Sequence, residues 1–337
     1  METRQLGNLW PVSALTLGGG GLGQLWGPTS REEAVATAKA AMDAGITLID
    51  LAPMYGRGEA EAVIGEAFGG VLPDGVRITT KCQLGNPGPG EVMPKFEKHL
   101  LRSLKALKME RVDLFFLHSN IAPDGYTYAQ NDDVKDHFVT PWSVYEAGVI
   151  SAMEDLKARG LIGAWGITGT GLPKTIMDAL RHDPKPAVVQ AVANLMDSAG
   201  DMRRYIEPPE PRNIIRTAKA HDVGVMGIRA VATGALTGAL DRPLPTEDET
   251  YKDFQKAAPW RALCAGLGED PALLAHRYAL SMEGVDTVIL GVKNRDELNG
   301  IVQAEAKGPL DTETRQRIDA LRLNFQMPRI PLDGEPL

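Results

Sequence analysis

Short apolar runs alternate with amphipathic stretches along nearly the whole chain, and this alternation limits the possible folds more than any other feature. The runs at residues 14–17, 46–49, 76–80, 112–117, 161–167, 187–189, 223–228 and 285–290 read as strands. Several are apolar at every position, not at every second one. Such strands are covered on both faces, which means parallel pairing with helices on the sheet. The intervening stretches have helical spacing. In the first of them, Ser30 and Glu33 have the spacing of a capping box, Ala34, Val35, Ala38, Ala41 and Met42 recur on one face, and Gly45 supplies the stop. Further helices are expected near Glu59 to Phe68, through Phe96, Leu100, Leu104 and Leu107, and through Val149, Met153 and Leu156 up to Gly160. Strand–helix units of this size, repeated eight times, fit a (β/α)8 (TIM) barrel, an α/β fold.

The chain has 337 residues and no composition break that marks a linker. It reads as one barrel domain over 1–337, with an N-terminal β-hairpin at residues 4–10 and an extra helix and tail at 311–337. A polar and aromatic segment between Leu117 and Ser143 makes a long loop after the fourth strand. Its tyrosines, Tyr126 and Tyr128, favour an ordered, substrate-facing loop. A net charge of −8 argues against nucleic acid, which demands a basic face. No apolar run is long enough for a membrane span, and Met1-Glu2-Thr3-Arg4 lacks the plan of a signal peptide. The two cysteines, Cys82 and Cys264, are too few for a disulfide framework, which points to a cytoplasmic protein. No His/Cys/Asp cluster has metal-ligand spacing, so no metal is expected.

Polar residues stand just past the apolar runs. Asp50 ends the second strand, Lys81 the third and His118 the fourth, while Tyr55 lies in the loop after Asp50. In a parallel barrel these ends share one mouth, where barrel active sites sit. Each residue alone has a bland reading: Asp50 as a cap, Lys81 as a solvated charge, His118 as a core histidine, Tyr55 as packing. Their joint placement is what points to chemistry. Cys82, next to Lys81, should face the helix layer by strand alternation and act as a packed thiol.

At these residues the chain resembles the aldo-keto reductases, in particular a bacterial aldose-dehydrogenase-like branch. The segments Gly45-Ile46-Thr47-Leu48-Ile49-Asp50-Leu51-Ala52-Pro53-Met54-Tyr55-Gly56, Thr79-Thr80-Lys81 and Val112-Asp113-Leu114-Phe115-Phe116-Leu117-His118 carry the resemblance. It implies an NAD(P)(H)-dependent oxidoreductase that interconverts a small carbonyl compound (aldehyde, ketone or aldose) and an alcohol. Tyr55 would be proton donor or acceptor, Lys81 would lower its pKa, Asp50 would hold Lys81, and His118 would orient the substrate oxygen. The alternative is an NADP-binding, redox-sensing subunit of the same fold with little turnover. A third reading, a lyase forming a Schiff base on Lys81, is weakened by the charge that Asp50 would preserve.

The resemblance also implies a cofactor surface. Gly19 and Gly20 would form a close-approach turn beside the nicotinamide, with Asp50 nearby. Thr168 and Gly169 stand where the family carries a Ser-Asn pair for the carboxamide. Gln190, taken to end the sixth strand, would bind the same group, and Ile228 would cover the ring. Arg229 and Thr233 would meet the pyrophosphate. Gly291, Lys293 and Arg295 would surround a 2′-phosphate, although Glu297 opposes one. The balance favours NADP(H) slightly over NAD(H). Trp26 and Met54, with Tyr126 and Tyr128, would line the substrate pocket. The implied partner is a small carbonyl or alcohol substrate.

Overall fold

The computed structural model describes residues 1–88, 90–325 and 328–329. Eight parallel strands close into a barrel: Leu15–Gly18, Leu48–Asp50, Arg77–Cys82, Val112–Leu117, Ile162–Thr168, Val188–Val192, Gly224–Ile228 and Thr287–Leu290. Each pairs with the next in chain order, and the eighth closes on the first, with Val288 opposite Leu15. All eight expected strands are present, with shifted ends. The second begins at Leu48 because the amide of Thr47 donates to the Ser13 hydroxyl (2.8 Å) instead of joining a ladder. The sixth runs on to Val192, so Gln190 lies in mid-strand, not at the strand's end.

Helices cover the outside of the barrel. The first full one, Arg31–Asp43, starts where Ser30 accepts a hydrogen bond from the amide of Glu33 (3.1 Å). Only this half of the expected capping box forms, because the Glu33 carboxylate engages Arg295 across the barrel seam. The helix Val92–Leu107 buries Phe96, Leu100, Leu104 and Leu107 along one face, as their spacing implied.

The N-terminal hairpin pairs Thr3–Gln5 with Pro11–Ser13, so it reaches past the expected residues 4–10 at both ends. It seals the end of the barrel opposite the strand C-termini. Leu6 and Val12 pack there on Leu48, Leu114, Phe116, Ala164, Val188 and Met226. The approach is close: Gly7 has φ +51°, and a Cβ there would lie 2.3 Å from the backbone nitrogen of Gly224.

Two excursions leave the barrel on the mouth side. The segment after the fourth strand is ordered by a small parallel sheet, Asn120–Ala122 with Val139–Pro141. A second excursion follows the seventh strand. It includes the helices Glu249–Lys256 and Ala258–Leu267, after which the helix Pro271–Leu280 returns to the outside of the barrel and ends where Arg4 donates to the Leu280 carbonyl (2.9 Å). The expected C-terminal helix is Thr312–Asp319; residues 330–337 of the expected tail lie outside the described residues. Among the described residues, no helix is long and apolar enough to cross a membrane.

Leu6 is fully buried in the barrel floor. Leu6→Ala should cost about 2–5 kcal/mol of stability, seen as a lower urea midpoint, because the closed floor cannot collapse onto the lost volume. Turnover per folded molecule should stay unchanged, since the floor lies at the opposite end of the strands from Tyr55.

Candidate active site

Because the strands are parallel, their C-terminal ends share one mouth. Asp50 is the last residue of the second strand, Lys81 the second-last of the third, and His118 follows the fourth directly. Tyr55 opens a short turn, Tyr55–Gly58, which leads into the helix Glu59–Phe68. That turn needs left-handed backbone at Gly56, Arg57 and Gly58 (φ 64°, 57° and 97°). It presses so closely on the first loop that a Cβ on Gly23 would lie 2.7 Å from the Tyr55 carbonyl oxygen.

The four side chains come together. The Lys81 ammonium, fully buried, donates to Asp50 Oδ2 (2.6 Å), to the Leu51 carbonyl (2.8 Å) and to the Tyr55 hydroxyl (3.3 Å). It also lies 4.9 Å from the centre of the Tyr55 ring. Asp50 Oδ1 accepts from the Thr79 hydroxyl (2.7 Å) and from the Gln190 amide (2.6 Å). The His118 ring stands edge-on to Tyr55, with centroids 6.1 Å apart, and its backbone amide donates to the Cys82 carbonyl (2.8 Å). Tyr55 and His118 are half-buried, whereas Asp50 and Lys81 are buried. Thr79 was not singled out from the sequence. Its signal is the two-residue spacing from Lys81, which puts both side chains on the inner face.

Electrostatics assign different states to these groups. Burial works against the Lys81 charge, but Asp50 and Tyr55 outweigh it, and the lysine pKa rises above its ordinary value. Burial, with the Lys81 charge, lowers His118 to about 3, so its imidazole is neutral at physiological pH. The Tyr55 phenol corrects an expectation: its pKa is raised, not lowered. Burial is the largest cause, and Lys81 opposes it only in part because Asp50 pushes the other way. A lysine already paired with a carboxylate has little net field left to offer. Cys82 packs into the outer core as alternation implied, and burial pushes its thiol up to about 12.

Residues expected at a cofactor surface also gather around the strand ends. Gly19 and Gly20 open a short helix, Gly19–Leu22, instead of the expected turn. A Cβ on Gly20 would lie 2.6 Å from Trp26 Nε1, and one on Gly291 would lie 3.1 Å from the same atom, so Trp26 sits between the two glycines. Thr168 ends the fifth strand, and its hydroxyl donates to the Leu117 carbonyl (3.3 Å). The amide of Gly169 donates to the Gln190 carbonyl (2.7 Å). Ile228 ends the seventh strand, half-buried.

The cations already have acidic neighbours. Arg229 donates to the Ala199 carbonyl (2.5 Å), the Thr233 hydroxyl (2.8 Å) and Asp201 (2.9 Å). Lys293 lies 3.3 Å from Asp241 and 3.4 Å from Glu297. Arg295 grips both oxygens of Glu33 (3.1 and 2.9 Å), which brings that carboxylate down to about 2.

Met54 is half-exposed at 50%. Tyr126 and Tyr128 are placed differently from the expectation of a substrate-facing pair. Tyr128 is 4% exposed and packs with Phe138, Val139, Leu172 and Tyr205, and Tyr126 joins that cluster while its hydroxyl donates to Glu207 (2.7 Å). A long loop needs its own apolar core to stay ordered, and these rings supply it. Among the described residues, no group of three or more His, Cys, Asp or Glu side chains converges as a metal site would require.

Comparisons with known proteins agree with this geometry. The model of the Aldo/keto reductase family matches residues 14–323. An L-galactose dehydrogenase from Arabidopsis thaliana is 24% identical over 328 residues, covering 95% of this chain and 94% of that one. A glycerol dehydrogenase structure from Gluconobacter oxydans has a TM-score of 0.69 at 22% identity, covering 99% of this chain and 98% of that one. An aldo-keto reductase from Klebsiella pneumoniae in complex with NADPH has a TM-score of 0.66 at 22% identity, covering 98% of this chain and 99% of that one. With the barrel, the mouth and the family match over most of its length, the chain belongs to the aldo/keto reductase family.

Proposed function

We propose that this protein is a nicotinamide-dependent oxidoreductase that interconverts a small carbonyl compound and the corresponding alcohol. The observation that carries the reading is the meeting of Tyr55, Lys81 and His118 at one mouth, with Lys81 fixed by Asp50. The donor set fits a nicotinamide dinucleotide. Thr168 and Gln190 would hold the carboxamide, Ile228 would cover the ring beside Gly19 and Gly20, and Arg229 with Thr233 would meet the pyrophosphate. Lys293 and Arg295, beside Gly291, would take a 2′-phosphate in exchange for the carboxylates of Asp241, Glu297 and Glu33. NADP(H) is slightly favoured over NAD(H), a reading supported by the NADPH named for the Klebsiella relative. When bound, the cofactor supplies or accepts the hydride.

The protein's own residues handle the proton. A phenol whose pKa is raised stays protonated at neutral pH, so Tyr55 is ready to give its proton to a carbonyl oxygen that gains charge during reduction. The Lys81 ammonium at 3.3 Å then stabilises the phenolate left behind. Asp50 keeps Lys81 charged, which also disfavours a Schiff-base role for its amine. Neutral His118 has a ring N–H to offer the substrate oxygen and fixes its direction. Trp26 and Met54 would line the substrate side of the mouth.

Tyr55→Phe should lower turnover by about a thousandfold or more, within the range attributed to a positioned proton donor. Nicotinamide binding, followed by fluorescence, should change little. A single-turnover mix of reduced nicotinamide and an aldehyde distinguishes an enzyme from a redox-sensing subunit. Rapid oxidation marks the enzyme. The pH profile is a further check. With the imidazole titrating near 3 and the phenol above its ordinary range, kcat/KM for carbonyl reduction should be flat from pH 5 to 8. Alcohol oxidation should rise with pH, because it needs the phenolate. A limb near pH 6–7 that vanishes in His118→Asn would contradict the neutral-imidazole assignment.

A further inference from the structure

We propose that Thr79 is a positioning residue that holds the Asp50 carboxylate so that one of its oxygens is reserved for Lys81; this rests on the proton-transfer reading of Tyr55 and Lys81 given above. The placement follows from the sheet. Thr79 lies opposite Asp50 in the ladder between the second and third strands, and two residues before Lys81 on the same inner face. Thr80, between them, points outward and donates to Glu61 (2.6 Å), which confirms the alternation. One strand therefore presents a neutral hydroxyl and a cation to the two oxygens of one carboxylate. Thr79 takes Oδ1 at 2.7 Å and Lys81 takes Oδ2 at 2.6 Å. Thr79 is fully buried and Asp50 is 2% exposed, so no bulk water replaces a lost donor easily.

Gln190 also donates to Oδ1. Under the proposed function that amide is the one a nicotinamide carboxamide claims. Thr79 is then the remaining neutral donor on Oδ1. Without its hydroxyl, the carboxylate is free to turn, and its charge falls less on a hydrogen-bond donor and more on the phenol. The charged and titratable groups facing this cluster are Lys81 and Tyr55 in contact, His118 across the mouth, Arg229 from the end of the seventh strand, and Glu61 from the helix behind the third. None of these occupies Oδ1. Thr79 thus controls how much of the Asp50 charge the phenol feels.

The test compares Thr79→Val, which keeps the shape and removes the hydroxyl, with Thr79→Ser, which restores the hydroxyl. In the protein saturated with NADP+, which under the proposed function engages the Gln190 amide, phenolate absorbance is titrated with pH, and the Tyr55→Phe titration is subtracted to isolate the Tyr55 step. Thr79→Val should move that step upward by about half a unit or more, because an under-bonded carboxylate disfavours a second negative charge. In the loaded enzyme, kcat for alcohol oxidation should fall roughly tenfold, the scale of a hydrogen bond to a charged group. KM for the cofactor should stay within about twofold, since Thr79 is placed on Asp50 and not on the nucleotide. Thr79→Ser should restore the titration and the rate. If Thr79→Val does not fold, Thr79→Ala is read against the same expectations. An unmoved Tyr55 step, or a serine variant no better than valine, overturns the assignment to Thr79. If Tyr55→Phe itself retains turnover, the proton-transfer reading fails and this proposal fails with it. An inactive Tyr55→Phe beside a normal Thr79→Val defeats the Thr79 proposal alone.

Discussion

A buried ammonium and a buried carboxylate, Lys81 and Asp50, meet at 2.6 Å inside the barrel, above its apolar floor. Taking both ions out of water costs several kcal/mol each, and their mutual attraction offsets this only when the remaining hydrogen-bonding capacity is also met. Here it is. Lys81 uses three donors, on Asp50, Leu51 and Tyr55, and Asp50 receives Thr79 and Gln190 as well as the lysine. Those partners come from the second, third and sixth strands and from the loop after the second. The ion pair and the barrel therefore depend on each other: only a closed parallel sheet brings these strand ends within reach, and only complete hydrogen bonding makes the charges tolerable inside it.

The same division of labour holds across the molecule. The floor is apolar and tightly packed around the hairpin. The mouth is polar and built from long excursions, and these are fastened to one another. The Arg204 carbonyl accepts the amides of Ala129 and Gln130 (3.1 and 3.3 Å), and its guanidinium lies 4.0 Å over the Phe138 ring. Ser198 donates to Asp253, tying the loop after the sixth strand to the helix Glu249–Lys256. Rigid walls of this kind hold reacting groups in place, which is where much of an enzyme's advantage lies.

Much of this was legible in the sequence because it depends on local periodicity. Runs rich in apolar residues identified the strands, and a polar residue just past three of them placed Asp50, Lys81 and His118 at one mouth. What stayed hidden depends on contacts between distant segments. That Gln190 lies within its strand is decided by how far the ladder with the fifth and seventh strands extends. That the Tyr55 phenol becomes less acidic is decided by how completely Asp50 neutralises Lys81, a balance of burial and distance. The engagement of Arg295 by Glu33 joins residues at opposite ends of the chain. Tyr126 and Tyr128 looked like pocket residues because aromatics in a long loop serve either to face a ligand or to build a small core, and composition alone does not separate the two.

The hairpin floor has one more consequence. With Leu6 and Val12 filling the lower end, the floor is closed, and under the proposed function cofactor and substrate would both reach Tyr55 from the side of the strand C-termini. Two molecules that share one doorway stand in a queue. Were one of them seated beneath the other, it would have to arrive first and leave last, so the closed floor would impose an order of encounters before any chemistry begins.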